Sequence, residues 1–119
     1  MGLFDKFKES INNAKESYNN ANAEQAQKWA MDARKRAMSA LQRGKDTVDR
    51  GNIDGGIKEF NAALKEYPDF SEAYAHRGAA YRKKGQLDLA TADLNKALSL
   101  DPNNAFAKSE LGNIGADQK

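Results

Sequence analysis

The 119-residue chain contains no cysteine, two prolines and a single histidine. Without cysteine there is no disulfide scaffold, no thiolate metal site and no cysteine nucleophile, a usage that suits a reducing compartment. One histidine excludes two-histidine metal sites and the HExxH motif, and His76 reads as a groove-lining or partly exposed residue rather than a general base. No stretch approaches the run of about 18 apolar residues that a membrane span requires. The opening MGLFDKFKES has no cationic leader ahead of an apolar core, and Lys6 stands where a myristoylation pattern wants Ser or Thr. A charge of one sign is also missing: 19 basic residues against 17 acidic ones leave +2, which argues against a dedicated nucleic-acid binder. The runs Arg34-Lys35-Arg36 and Arg82-Lys83-Lys84 read as solvated helix faces. These absences lead us to expect one small cytoplasmic domain with no metal, no cofactor, no nucleic acid and no membrane span.

What the chain has is a period. Gly44, Gly78 and Gly112 are spaced by 34 residues, and the pairs Gly51 and Gly85, Phe60 and Leu94, Ala63 and Ala97, and Pro68 and Pro102 keep the same offset. The glycine-rich GNIDGG at 51–56 looks at first like a phosphate cradle. Its counterpart one period later carries Leu89 and Ala90 in place of two of the glycines, and a cradle could not lose them. GKDT at 44–47 resembles the tail of a P-loop only superficially, because Ser39 replaces the earlier glycine and Asp46 occupies the Ser/Thr slot.

Each period reads as two helices. In the second, Ala73, Tyr74, Gly78 and Tyr81 fall at helical spacing, and Gly85 stops the helix. Asp88 is placed to cap the next helix, and Ala90, Leu94, Ala97 and Leu98 form its apolar stripe up to Asp101-Pro102. Gly51 and Gly85 suit the positive φ of a helix C-terminus. Gly44 and Gly78 lie inside helices, at a cost of about 1 kcal/mol against alanine, which a close helix-to-helix approach would explain.

A 34-residue helix–turn–helix unit of this kind resembles the tetratricopeptide repeat, whose pattern is met by Tyr74, Gly78, Tyr81, Gly85, Ala90, Leu94, Ala97 and Pro102. The match is strong over 71–104, which closes with DPNN, and looser over 37–70, where Ala40 and Thr47 replace aromatics and Gly56 replaces alanine. Arg43 and Arg77 stand where leucine is frequent. A partial third unit, or capping helix and tail, is expected over 105–119, with the pattern breaking at Gly115. The fold this implies is all-α: a helical-hairpin solenoid of two units plus a partial third, with an N-terminal helical extension.

Upstream, the first repeat helix extends back through 22–36 by way of Trp29, Ala30 and Ala33, with Asn22 and Gln25 forming a capping box. Over 1–21, Phe4, Phe7, Ile11, Ala14, Tyr18 and Ala21 form one apolar seam, and NNAN at 19–22 is the expected bend. That helix is expected to fold back as an N-terminal cap. A dimer seam and a membrane-surface helix stay open beside it.

The resemblance implies a non-catalytic interaction module, because the first helix of each pair lines a concave binding surface. Transferring the family's groove positions selects Met38, Leu41, Lys45, Val48 and Asp49 from the first unit, and Glu72, Ala75, His76, Ala79, Arg82 and Lys83 from the second. The last helix adds Phe106, Ser109 and Asn113. One branch of the family grips a C-terminal carboxylate with Lys, Asn and Arg; those slots here hold Leu41, Lys45, His76, Phe106 and Glu110, so no such clamp is expected. Lys45, Arg82 and Lys83 suggest an acidic or amphipathic protein or peptide partner. The alternative reading is a structural protein that forms homo-oligomers through its N-terminal helix.

Overall fold

The computed structural model describes the backbone of residues 3–118 and the side chains of residues 3, 5, 6, 8 and 22–118. The described residues form five α-helices and no strand: α1 (Leu3–Asp49), α2 (Ile53–Glu66), α3 (Ser71–Lys83), α4 (Leu87–Leu100) and α5 (Ala105–Asp117). The chain divides into two units, Met1–Asp32 and Ala33–Lys119. The second is an all-α helical-hairpin solenoid.

The bend expected at 19–22 is absent, and these residues are helical within α1. No glycine or proline occurs between Leu3 and Arg43. Asparagine costs at most about 0.7 kcal/mol per position against alanine, too little to end a helix unaided. Asn22 and Gln25 therefore lie inside α1 and cap nothing. The packing of the seam from Phe4 to Ala21 lies outside the described side chains, and with it the cap, dimer and membrane-surface readings.

From Ala33 onward the helix ends are cut by the same device twice. Gly51 takes φ +95° and Gly85 φ +79°. Asn52 N–H donates to Thr47 C=O at 3.1 Å and Gly51 N–H to Val48 C=O at 2.9 Å; Gln86 donates to Tyr81 and Gly85 to Arg82, both at 2.9 Å. Both ends are Schellman motifs, which satisfy carbonyls that the helix leaves open. The next helix starts at once, with Asn52 Oδ1 accepting from Gly55 N–H at 2.9 Å. At α4 the expected cap differs: Gln86 occupies the N-cap without a side-chain bond, and Asp88 lies in the first helical turn. The last helix also runs past Gly115, to Asp117.

The hairpins close on glycine. A Cβ at Gly44 would stand 2.5 Å from Phe60 Cε1 and 3.1 Å from the Gly56 carbonyl oxygen; at Gly78 it would stand 2.9 Å from Leu94 Cγ and 3.1 Å from the Ala90 carbonyl oxygen. The absent side chain is what lets Phe60 and Leu94 seat fully, and both are the largest wholly buried side chains of the described structure. Gly112, one period on, has nothing within 4 Å of a Cβ.

Arg43 and Arg77, the departures from leucine, bind acids one period apart. Arg77 makes a two-pronged pair with Asp93, Nε to Oδ2 and Nη2 to Oδ1, both 2.7 Å, and reaches Asn61 Oδ1 at 2.9 Å. Its guanidinium also lies 5.3 Å from the Tyr74 ring centre. The hydrogen bond to Asp93, foremost, raises the Arg77 pKa, so the guanidinium stays charged at this partly buried site. Arg43 holds Glu59 at 3.1 Å, but this pair is exposed. At the junction of α3, α4 and α5, Ser71 Oγ donates to the Ala97 carbonyl at 2.8 Å, Asn104 Nδ2 donates to Ser71 Oγ at 2.9 Å, and Asn104 Oδ1 accepts from Ala107 N–H at 3.0 Å. Asn104 is buried, and the last two of these contacts engage both its amide nitrogen and its amide oxygen.

Candidate functional site: the cavity between α1, α3 and α5

Three helices present side chains to one concavity of about 210 Å³. Lys45, Val48 and Asp49 come from α1, and His76, Ala79, Ala80 and Lys83 from α3; each set repeats at three or four residues and so shares a helix face. Phe106 and Glu110 come from α5, and Phe60 of α2 closes the floor. A second cavity of about 280 Å³, bounded by Glu72, Ala75, Asp101 and Asn104, shares the His76 and Phe106 walls with the first.

The centre of this surface is a row of rings. His76 stacks on Phe106 with ring centres 4.3 Å apart and planes inclined by 22°, and it lies 6.1 Å from the Phe60 ring. Burial, and after it the charge of Lys45, pushes the His76 pKa from 6.5 down to about 4, with Asp49 acting weakly in the opposite direction. The imidazole is therefore neutral at pH 7 and behaves as a third aromatic plate with polar edges.

The structure gathers Lys45, Val48, Asp49, His76, Ala79, Lys83 and Phe106 of the sequence-derived groove around the first cavity, and Glu72 and Ala75 around the second. Four others lie elsewhere. Leu41 is 6% exposed and packs in the core with Ile57 and Phe60, because its position on α1 faces α2 rather than the concavity. Met38, Ser109 and Asn113 are exposed but line neither cavity.

Arg82 is a correction of a different kind. It was expected to supply positive charge to the groove, but Nε holds Asp117 Oδ2 at 2.8 Å and Nη1 lies 3.3 Å from Glu110 Oε2. The hydrogen bond to Asp117 raises the Arg82 pKa and lowers that of Asp117. Arg82 thus ties α5 to α3 instead of standing free for a ligand. The uncompensated cations at the cavity are Lys45 and Lys83, neither of which makes an ion pair among the described residues.

Phe60, Ala80 and Glu110 line the cavity without having been selected. Phe60 was legible as core from its helical stripe, and it serves both roles because its ring edge reaches the cavity floor. No group of three or more His, Cys, Asp or Glu side chains among the described residues is placed to hold a metal ion. Among those residues no helix is long and apolar enough to cross a membrane.

Residues 71–104 match the family model of the tetratricopeptide repeat. Over 43 residues the chain is 51% identical to the FK506-binding protein-like protein of Rattus norvegicus and 46% identical to that of Homo sapiens, covering 36% of this chain. The matched segment spans 12% of the length of these curated relatives. A solved structure, the first TPR of Spaghetti (RPAP3) bound to HSP90 peptide SRMEEVD, is 21% identical over 71% of this chain and 94% of that one, with a TM-score of 0.48. The Gly78 contact with Leu94, the Schellman end at Gly85 and the family match fall in one segment, and residues 71–104 are matched as a tetratricopeptide repeat.

Proposed function

We propose that the chain is a non-catalytic protein-interaction module, and that a peptide or helix of another protein docks in the cavity between α1, α3 and α5. The observation that carries this reading is the convergence of an aromatic row, Phe60, His76 and Phe106, with two unpaired lysines, Lys45 and Lys83, on one concave surface. Such a surface suits a segment that offers an apolar side chain to the rings and an acidic one to the ammonium groups. The partner is therefore an amphipathic segment with acidic character.

Affinity capture from cell extract supplies the partner, and calorimetry then compares two double charge reversals. Lys45→Glu with Lys83→Glu places two like charges against the ligand and lowers affinity at least about ten-fold, or 1.4 kcal/mol. Lys58→Glu with Lys65→Glu, on exposed positions of α2, leaves affinity within about two-fold. Equal losses in the two variants would remove the cavity as the docking site.

A further inference from the structure

His76, the one histidine of the chain, stands in the wall between the two cavities with its ring held by Phe106 and Phe60. The charged groups that line the two cavities beside it are Lys45 and Asp49 on α1, Glu72 and Lys83 on α3, Glu110 on α5 and Asp101 between α4 and α5, while α2 contributes only Phe60. Glu110 is taken up by Arg82, whereas Lys45 and Lys83 have no ion partner among the described residues. An incoming anion thus meets two ammonium groups and a neutral imidazole that can still accept a proton.

We propose that a carboxylate of the partner seated between Lys45 and Lys83 is taken up together with a proton on His76, so that the groove holds acidic segments more tightly as the pH falls from neutral. The proposal rests on the reading of this cavity as the docking site. In the empty groove, burial and the nearby Lys45 ammonium disfavour the imidazolium. A bound carboxylate cancels the Lys45 repulsion and accepts a hydrogen bond from the ring N–H, and both effects favour the charged form. The face of Phe106 stacked on the imidazole favours a cation as well.

Linkage fixes the sign. A ligand that raises the pKa of His76 binds more tightly once the pH falls below the raised value, by up to ten-fold for each unit of the rise. At pH 7 the gain is absent. At about pH 4 the partner's own carboxyl groups take up protons, so affinity peaks near about pH 5.

Because His76 is the sole histidine, its ring signals in NMR belong to one site. The full chain is titrated from about pH 8 to about pH 4, free and with the blocked peptide acetyl-Glu-Leu-Glu-Glu-amide or its all-glutamine counterpart. The acidic peptide is expected to shift the backbone amides of Ala79 and Lys83 and to raise the His76 midpoint by about one unit or more, a ten-fold affinity gain. The glutamine peptide leaves the midpoint in place. In Lys45→Gln the free midpoint is already partly raised, and the acidic peptide raises it by less than in the unaltered chain. Amide shifts in the groove with an unmoved His76 midpoint would overturn the proton uptake and leave the docking site standing. No amide shift with the acidic peptide would overturn both.

Discussion

Gly44 and Gly112 occupy the same phase of the repeat, yet the same substitution should stabilise at Gly112 and fail to stabilise at Gly44. Glycine to alanine in a helix interior gains about 1 kcal/mol of propensity at either position. At Gly44 the new methyl would stand 2.5 Å from Phe60 Cε1, 2.7 Å from Cδ1 and 3.1 Å from the Gly56 carbonyl oxygen. Phe60 is 1% exposed and cannot swing outward, so the ring and α2 must shift together, at an overpacking cost of about 1–3 kcal/mol. Gly44→Ala is therefore neutral to about 2 kcal/mol destabilising after the propensity gain is counted. At Gly112 nothing lies within 4 Å, and the propensity gain stands alone. The difference between the two variants cancels the propensity and isolates the overpacking, about 1–3 kcal/mol. Each kcal/mol moves the melting temperature by about 4–8 °C in a domain of this size. Thermal unfolding followed by circular dichroism reads both. Equal shifts at Gly44 and Gly112 would refute the argument that close packing of α1 on α2 selects glycine.

Three other outcomes follow from the described contacts. Asp93→Ala strands the largely buried Arg77 and should cost about 3 kcal/mol in urea unfolding, whereas Glu59→Ala, which frees the exposed Arg43, should cost about 1 kcal/mol or less; similar losses would show that burial does not separate the two pairs. The folded pKa of His76, about 4, lies below its ordinary 6.5, so the unfolded chain binds the proton first and stability falls as the pH drops through that interval. Solvent screening of the partly exposed ring holds the expected loss to about 1–2 kcal/mol, and His76→Gln flattens the profile between those pH values. Gly56→Ala, toward the residue one period on, should destabilise despite better propensity, because its Cβ would meet the Val48 side chain and stand 2.9 Å from the Gly44 carbonyl oxygen; a raised melting temperature would contradict this.

The hairpins were legible because their signals are local and recur. Gly51 and Gly85 mark helix ends by conformation, and Gly44 and Gly78 mark contacts by size. The partners of Arg43 and Arg77 were in plain view at the same offset, as Glu59 and Asp93, but sixteen residues separate each arginine from its acid, and that pairing appears only when the hairpin closes. Arg82 misled for a related reason: its partner Asp117 lies 35 residues away on α5, and a count of basic residues along one helix face cannot include acids contributed by another. Leu41 misled because a groove position and a core position on α1 differ by about 100° of rotation per residue, so small differences in facing decide between them. The bend at 19–22 was read from asparagine content, which weakens a helix without breaking it.

The relay from Asn104 through Ser71 to the Ala97 carbonyl has a consequence for motion. Asn104 holds the first turn of α5, Ser71 opens α3, and Ala97 belongs to the last turn of α4. When α5 lifts away, Asn104 withdraws its donor from Ser71, whereas its cap on the Ala107 amide is local to α5 and travels with the helix. Helix α5 should then detach as a hinged door with its first turn still capped, and not unravel residue by residue. The closing asparagine of the DPNN turn thereby couples the seating of α5 to the start of α3.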